Sequence, residues 1–195
     1  PVRTADRHVK HGLARHVAVI CNGGIYRVDV VDAHGRIYTV DELTDIYEEL
    51  LRRPQIEGAA GRVPALTTDT RDKWAANREK FFVSVRKNRR ALEMIESAAF
   101  VITLMQERHD YEPANSARLS TFMKSLLTGD GVADRWADKS LNYVVTKNGR
   151  FGCTTEQSLV DAVEFGHIFE NFHWIDTQIL KYAPLEEQEA RAASL

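Results

Sequence analysis

The sequence predicts an α/β fold, a mixed sheet with packed helices, and three observations carry that expectation. Two pairs of short β-rich runs each enclose a glycine turn, at Asn22-Gly23-Gly24 and at Asn148-Gly149. Apolar residues recur at helical spacing in several other stretches. Strands and helices interleave along the whole chain, the pattern of α/β or α+β domains.

Val17-Ala18-Val19-Ile20-Cys21 reads as a strand, and Ile25-Tyr26-Arg27-Val28-Asp29-Val30-Val31, alternating apolar and polar, reads as its hairpin partner. Ala33-His34-Gly35 supplies a second turn into Arg36-Ile37-Tyr38. Thr39 with Glu42 fits a capping box, and Leu43, Ile46, Tyr47, Leu50 and Leu51 follow at helical spacing, so a helix of about three turns closes near Pro54. Gln55 to Pro64 mixes Gly, Ala, Arg and Pro without periodicity and reads as a surface loop. Thr68 or Asp69 caps a second helix with Trp74, Ala75, Arg78, Phe81 and Phe82 on it. A third begins near Asn88 and carries Leu92, Ile95 and Ala99 into a buried strand, Phe100-Val101-Ile102-Thr103-Leu104.

Gln106 to Ser116 forms another loop, followed by a helix marked by Phe122, Leu126 and Leu127 that ends at Thr128-Gly129-Asp130-Gly131. Leu141–Val145 and Phe151–Thr154 flank Asn148-Gly149, the strongest two-residue turn signal, and give the clearest hairpin. A long helix then carries Val163, Ile168, Phe169, Phe172, Ile175 and Ile179 on a broad apolar face, with Pro184 just after its end. Leu185 to Leu195 reads as a frayed or disordered tail.

The composition narrows the function classes. With 195 residues, 44% of them apolar and 28% charged, the chain suffices for one sizeable core or one lobe of a larger protein. A net charge of -2 provides no global basic field, which disfavours nucleic acid as a partner. Arg86-Lys87-Asn88-Arg89-Arg90 is the densest basic cluster and reads as a solvated helix start or, alternatively, a phosphate site. Cys21 and Cys153 are too few and too far apart for a metal ribbon or disulfide scaffold. No apolar run approaches the ~20 residues that cross a bilayer, and no signal peptide opens the chain. It begins at Pro1 without an initiator methionine, so targeting or membrane segments can lie upstream, outside this chain.

Glu156-Gln157-Ser158-Leu159-Val160-Asp161-Ala162, directly after the second hairpin, has the spacing of an active-site loop. A carboxylate at Asp161, four residues after Gln157, could orient a proton-transferring side chain if the intervening turn is helical. Asp134-Arg135-Trp136-Ala137-Asp138-Lys139-Ser140 packs four charges around a tryptophan just before the hairpin. One reading is a loop stapled to the core by Trp136 and an Arg–Asp pair. The other is a scaffold beside the Gln157 loop, because the hairpin brings its two outer ends together. His8, His11 and His16 lack a completing ligand pattern and read as solvated, so no metal site is expected. His167 and His173, six apart on one helix, face different ways. Ser158 has no base beside it in sequence, and Gly23-Gly24 sits in a hairpin turn, unlike a phosphate loop.

Several stretches together resemble the carnitine/choline acyltransferase family, most closely its carnitine palmitoyltransferase branch. They are Val17–Val30 with Gly35-Arg36, Leu66-Thr67 with Arg71–Phe81, Glu96–Phe100, Lys124–Gly129, Asp134–Ser140, Lys147-Asn148-Gly149, and Glu156–Ala162 with Gly166-His167, in the family's order and spacing. The resemblance implies one lobe of a fold similar to chloramphenicol acetyltransferase, with residues 1–184 a partial acyltransferase domain and a second lobe lying outside the chain. It implies acyl-coenzyme A and carnitine as substrates, no covalently bound cofactor, a mitochondrial setting, and membrane association only through segments outside these residues.

In such a family a histidine removes the proton of the carnitine hydroxyl, and an acid four residues on orients it. By resemblance Gln157 stands at the histidine's position and Asp161 at the acid's, with Leu159 where the family carries tryptophan. A carboxamide does not bind a proton near neutral pH, and general-base help is worth ~10²–10⁴-fold, so little or no acyl transfer is expected. Two functions compete: a fragment of a carnitine O-acyltransferase, and a catalytically silent homologue acting as a binding or regulatory module. A bland third reading is an incomplete gene product. An isolated first lobe is also expected to expose apolar surface on Val163–Ile179 and to be poorly soluble.

Overall fold

The computed structural model describes residues 7–110, 114–128, 133–158 and 161–180. The chain forms two compact units, residues 1–156 and 157–195. Within the first, strand β1 (His16–Cys21) is buried at every position because it is covered on both faces. Ala18 and Ile20 point to one side, where they meet Trp74, Leu92, Ile95, Val101 and Trp136. Val17, Val19 and Cys21 point to the other, against Val28, Leu50, Tyr47 and Ile102. An apolar run without alternation is what a strand between two layers requires.

The sheet has five strands in the order β2-β1-β3-β4-β5, with β2 (Gly24–Asp29), β3 (Val101–Leu104), β4 (Leu141–Val145) and β5 (Phe151–Thr155). β1, β3 and β4 run parallel, and each outer strand is the antiparallel arm of a hairpin. The expectation of a mixed sheet with packed helices therefore holds. The first hairpin turns through Asn22 and Gly23, both at positive φ (49° and 73°), as a tight two-residue turn needs. A Cβ on Gly23 would also lie 2.7 Å from the Ile56 carbonyl oxygen and 2.9 Å from the Gly61 Cα, so the position is closed to larger residues.

Helix α1 (Val40–Leu51) opens with the expected capping box: Thr39 accepts from the Glu42 N–H, and the Glu42 carboxylate accepts from the Thr39 N–H at 2.8 Å. Arg36 braces that carboxylate with two hydrogen bonds, 2.8 and 2.9 Å. The stretch read as a surface loop, Gln55 to Pro64, is exposed over residues 55–60 as expected, but from Gly58 on it is not irregular: residues Gly58–Thr68 form 3-10 turns and bury Pro64 and Thr67. Helix α2 starts at Arg71, later than expected, with Thr70 at its N-cap and no capping side-chain bond. It widens into a π-helical stretch, Arg78–Val83, before α3 (Arg86–Ser97), which starts two residues ahead of Asn88 and stops before Ala99.

Helix α4 (Ser116–Leu127) sets Phe122 and Leu126 against Met105 and Val144; its expected glycine stop lies partly outside the described residues. The second hairpin is not the two-residue turn that Asn-Gly suggests. Val145 pairs with Phe151, Thr146 N–H donates to the Arg150 carbonyl (2.9 Å), and Gly149 N–H donates to the Thr146 carbonyl (2.9 Å). Three residues, Lys147 to Gly149, thus make the loop, with Gly149 in the left-handed region (φ 74°). Asn148 is spent elsewhere: its side chain accepts from His109 N–H and donates to His109 C=O, tying down the loop before α4.

In the second unit α5 (Ala162–Trp174) continues as a π-helical turn, Ile175–Leu180. Val163, Phe172, Trp174 and Ile179 are exposed, as the apolar face of this helix anticipates, and Phe165 is buried. The 185–195 tail lies outside the described residues. No described helix is long and apolar enough to cross a membrane.

Candidate active site

Residues 134–140 form the loop that feeds β4, and the hairpin does bring its two outer ends together: Leu141 pairs with Thr155, and Glu156 N–H donates to the Ser140 carbonyl at 3.0 Å. Trp136 is buried at 1% exposure and meets Trp74 edge-on, 5.9 Å between centroids. Phe82 completes an aromatic trio at 6.5 Å. Such edge-to-face packing adds ~0.5–1.5 kcal/mol per pair beyond area burial.

Most polar side chains of the loop are engaged with the scaffold. The carboxylate of Asp138 accepts from the Trp74 indole N–H (2.5 Å) and from Arg71 (2.7 Å). Lys139 donates to the Glu96 carbonyl (2.7 Å), and the Glu96 carboxylate in turn binds Arg78 (2.6 Å). Asn142 accepts from Trp136 N–H and donates to the Trp136 and Lys139 carbonyls, each at 3.0 Å. The Thr67 hydroxyl accepts from Ala137 N–H (2.9 Å) and donates to the Pro64 carbonyl (2.8 Å). This last clasp crosses some seventy residues of sequence, and no local signal reveals it. The stapled-loop reading of 134–140 is therefore realised in detail.

Asp134 and Arg135 form a close ion pair with Arg135 almost wholly buried. Burial pushes the Asp134 carboxyl up to about 6, against the pull of Arg135, and repulsion from Glu107 adds to the rise. Burial likewise lowers Arg135, with Asp134 opposing. Its Nη2 lies 3.6 Å from the Met105 sulfur, and among the described residues its Nε has no acceptor. Burial also lowers Lys139, with Glu96 opposing.

A cleft of about 170 Å³ opens beside this loop, lined by Arg135, Lys139, Asn142, Leu126, Thr154 and Glu156 among others. Its lining mixes two cations, threonine hydroxyls and the Glu156 carboxylate with the aliphatic side chains of Leu126 and Leu127. Glu156, which closes the lining, immediately precedes Gln157 in the chain.

Gln157 and Ser158 occupy a turn and are exposed; Leu159 and Val160 lie outside the described residues. Asp161 is the N-cap of α5, in extended backbone conformation, its Oδ1 accepting from the Ala162 N–H at 2.7 Å. The helix thus begins only after Asp161, and Asp161 is held by the end of that helix. His167 is exposed on α5, its Nδ1 3.2 Å from Glu170. The reading of His16 as solvated is corrected: it is 5% exposed, and its Nε2 lies 2.8 Å from the Met94 carbonyl oxygen, because it opens the buried strand β1. Among the described residues no group of three or more His, Cys, Asp or Glu could hold a metal ion.

The family model for choline/carnitine O-acyltransferases matches residues 1–194. The chain is 37% identical over 170 residues to the muscle isoform of carnitine O-palmitoyltransferase 1 from Sus scrofa, covering 87% of this chain and 22% of that protein. It is 32% identical over 172 residues to the liver isoform from Homo sapiens, covering 87% and 22%. With the peroxisomal carnitine O-octanoyltransferase of Rattus norvegicus it shares 32% over 170 residues, 85% of this chain and 26% of that protein. The chain therefore spans about a quarter of the length of these relatives, and with the family model matching nearly all of its residues it belongs to the choline/carnitine O-acyltransferase family.

Proposed function

We propose that this chain is part of a carnitine O-acyltransferase of the palmitoyltransferase type, and that Gln157, at the place of the catalytic base, leaves it without appreciable acyl transfer. The reaction of the lineage moves a fatty acyl group between coenzyme A and carnitine. The observation that carries the proposal is the exposed carboxamide of Gln157, two residues after β5, at the position that by resemblance would hold the base. Glutamine can hold the carnitine hydroxyl by a hydrogen bond but has no proton affinity near neutral pH. Asp161 is the residue that would orient a base at 157, and its bond to the α5 N-terminus supports a fixed carboxylate there.

The same reading treats residues 1–184 as part of one lobe of a chloramphenicol acetyltransferase-like fold, supported by the mixed sheet with helices on both faces. Acyl-coenzyme A and carnitine are the proposed ligands of the complete protein, and the mitochondrion its proposed location. The second reading, a silent homologue that binds acyl-coenzyme A or pairs with an active relative, is favoured by the same residue, since loss of a base removes turnover while leaving binding surfaces untouched.

The deciding experiment compares the full-length parent with its Gln157→His variant in acyl transfer to carnitine. The variant is expected to be faster by ~10²-fold or more. A parent already turning over as fast as the variant would overturn the proposal. Two inactive forms that still bind acyl-coenzyme A would establish the binding module instead.

A further inference from the structure

We propose that the segment from Lys80 to Arg90, the bend into helix α3 and its first turns, docks on a membrane surface rich in anionic phospholipid. The inference does not depend on Gln157 or on catalysis, so it stands or fails separately. Lys80 to Leu92 holds five cations and no acidic residue, in a chain whose net charge is -2. Every residue from Ser84 to Ala91 is exposed. Arg86, Lys87 and Arg90 line one open groove of about 470 Å³, and none of the three forms an ion pair among the described residues. Exposed apolar groups belong to the same segment: Phe81 is 46% exposed with the Lys80 ammonium 5.0 Å from its ring centroid, and Val85 is 43% exposed.

The helix gains nothing from these cations. They crowd its positively polarised end, and Arg86 and Arg90 stand one turn apart as like charges. Only Arg89 turns back to the fold, donating from Nε to the Val83 carbonyl at 2.7 Å. A soluble phosphate would satisfy Arg86, Lys87 and Arg90 but leave Phe81 and Val85 in water. A bilayer surface satisfies both, with lipid phosphates meeting the cations and the two apolar side chains entering the headgroup region. Membrane contact was expected only through segments outside this chain, and this patch would place a contact within it.

The test is flotation of the full chain with vesicles of phosphatidylcholine alone or of equal parts phosphatidylcholine and phosphatidylserine. Binding is expected only to the anionic vesicles and should weaken as salt is raised. The triple variant Arg86→Gln, Lys87→Gln, Arg90→Gln should lose on the order of 100-fold in partitioning, about fivefold per charge. Phe81→Ser should weaken binding roughly tenfold with an unchanged salt dependence. All four side chains are exposed, so unchanged circular dichroism is expected to accompany the losses. Equal flotation with neutral vesicles, or a triple variant that floats like the parent sequence, overturns the proposal. So does capture by inorganic phosphate or by an acidic polypeptide without flotation.

Discussion

Replacing Asp138 by alanine should destabilise the first unit by about 2–4 kcal/mol, and the reason is the indole of Trp74 more than the ion pair with Arg71. Trp74 is wholly buried, and its Nε1–H donates to Asp138 Oδ2 at 2.5 Å. Without that acceptor a buried donor is orphaned, at a cost of ~1–3 kcal/mol. The bond to Arg71 is shorter than 3 Å but its guanidinium is 46% exposed, and solvent screening leaves such pairs worth ~1 kcal/mol or less. Asp138→Asn retains an acceptor for the indole but loses the charge and the acceptor for Arg71, whose side chain is largely solvated, so it should cost ~1 kcal/mol. Urea unfolding followed by tryptophan fluorescence orders the variants, with Arg71→Ala as the comparison that removes the ion pair but leaves the acceptor for the indole. The reasoning is refuted if Asp138→Ala costs under ~0.5 kcal/mol, or if Arg71→Ala costs as much as Asp138→Ala.

Asp134 gives a pH dependence whose sign follows from its shift. Its carboxyl is raised to about 6 in the fold, so the native state holds a proton that the unfolded chain has already released; stability from this group is fullest below the ordinary value and declines as pH rises through about 6. With its side chain 30% exposed, the effect should be about 1–2 kcal/mol, and Asp134→Asn should flatten that part of a urea-stability profile against pH. Gly152→Ala would put a Cβ 2.6 Å from Leu126 Cδ1 and 3.1 Å from Phe122 Cζ, pushing α4 from β5 at a cost of ~1–3 kcal/mol in the same assay. Thr39→Ala removes one half of the α1 capping box and should cost ~1 kcal/mol, with helix content by circular dichroism otherwise retained.

The legible parts of the fold are those fixed by local chemistry. Asn22-Gly23 demands positive φ twice, Thr39 and Glu42 satisfy each other's backbone, and β1 is apolar throughout because it is covered twice. What escaped sequence reading is non-local. Gly58–Thr68 has no hydrophobic period, yet it is ordered because Thr67 must reach Ala137 and the Pro64 carbonyl. Asn148 made the hairpin visible but misstated its loop, since the same side chain is committed to His109. His16 looked like one of three solvated histidines, and only its place at the start of β1 buries it. Of the candidate site, the adjacency of Ser140 and Glu156 followed from hairpin geometry, whereas the contacts of Asp138 with Trp74 and of Lys139 with Glu96 did not.

The two charged stretches bear on function in different ways. Arg135, Trp136, Asp138 and Lys139, read in sequence as a stapled loop or as a scaffold beside the Gln157 loop, are each committed to Asp134, the aromatic trio, Trp74 and Glu96 respectively. Foldability alone demands them, so a match to the family through residues 134–140 speaks for the fold and is silent on activity. Gln157 is the converse: it is exposed, and exchange at such a site usually alters stability by less than ~0.5 kcal/mol. On the proposed reading of Gln157, exchange of a base for glutamine at 157 would meet no folding penalty. The consequence is measurable: Gln157→His should leave the urea midpoint unchanged, and on the proposed function alter turnover, whereas Asp138→Ala should shift the midpoint strongly. A large stability change at 157 would mean that the glutamine is held by the fold, and the proposal that it replaces a base would lose its support.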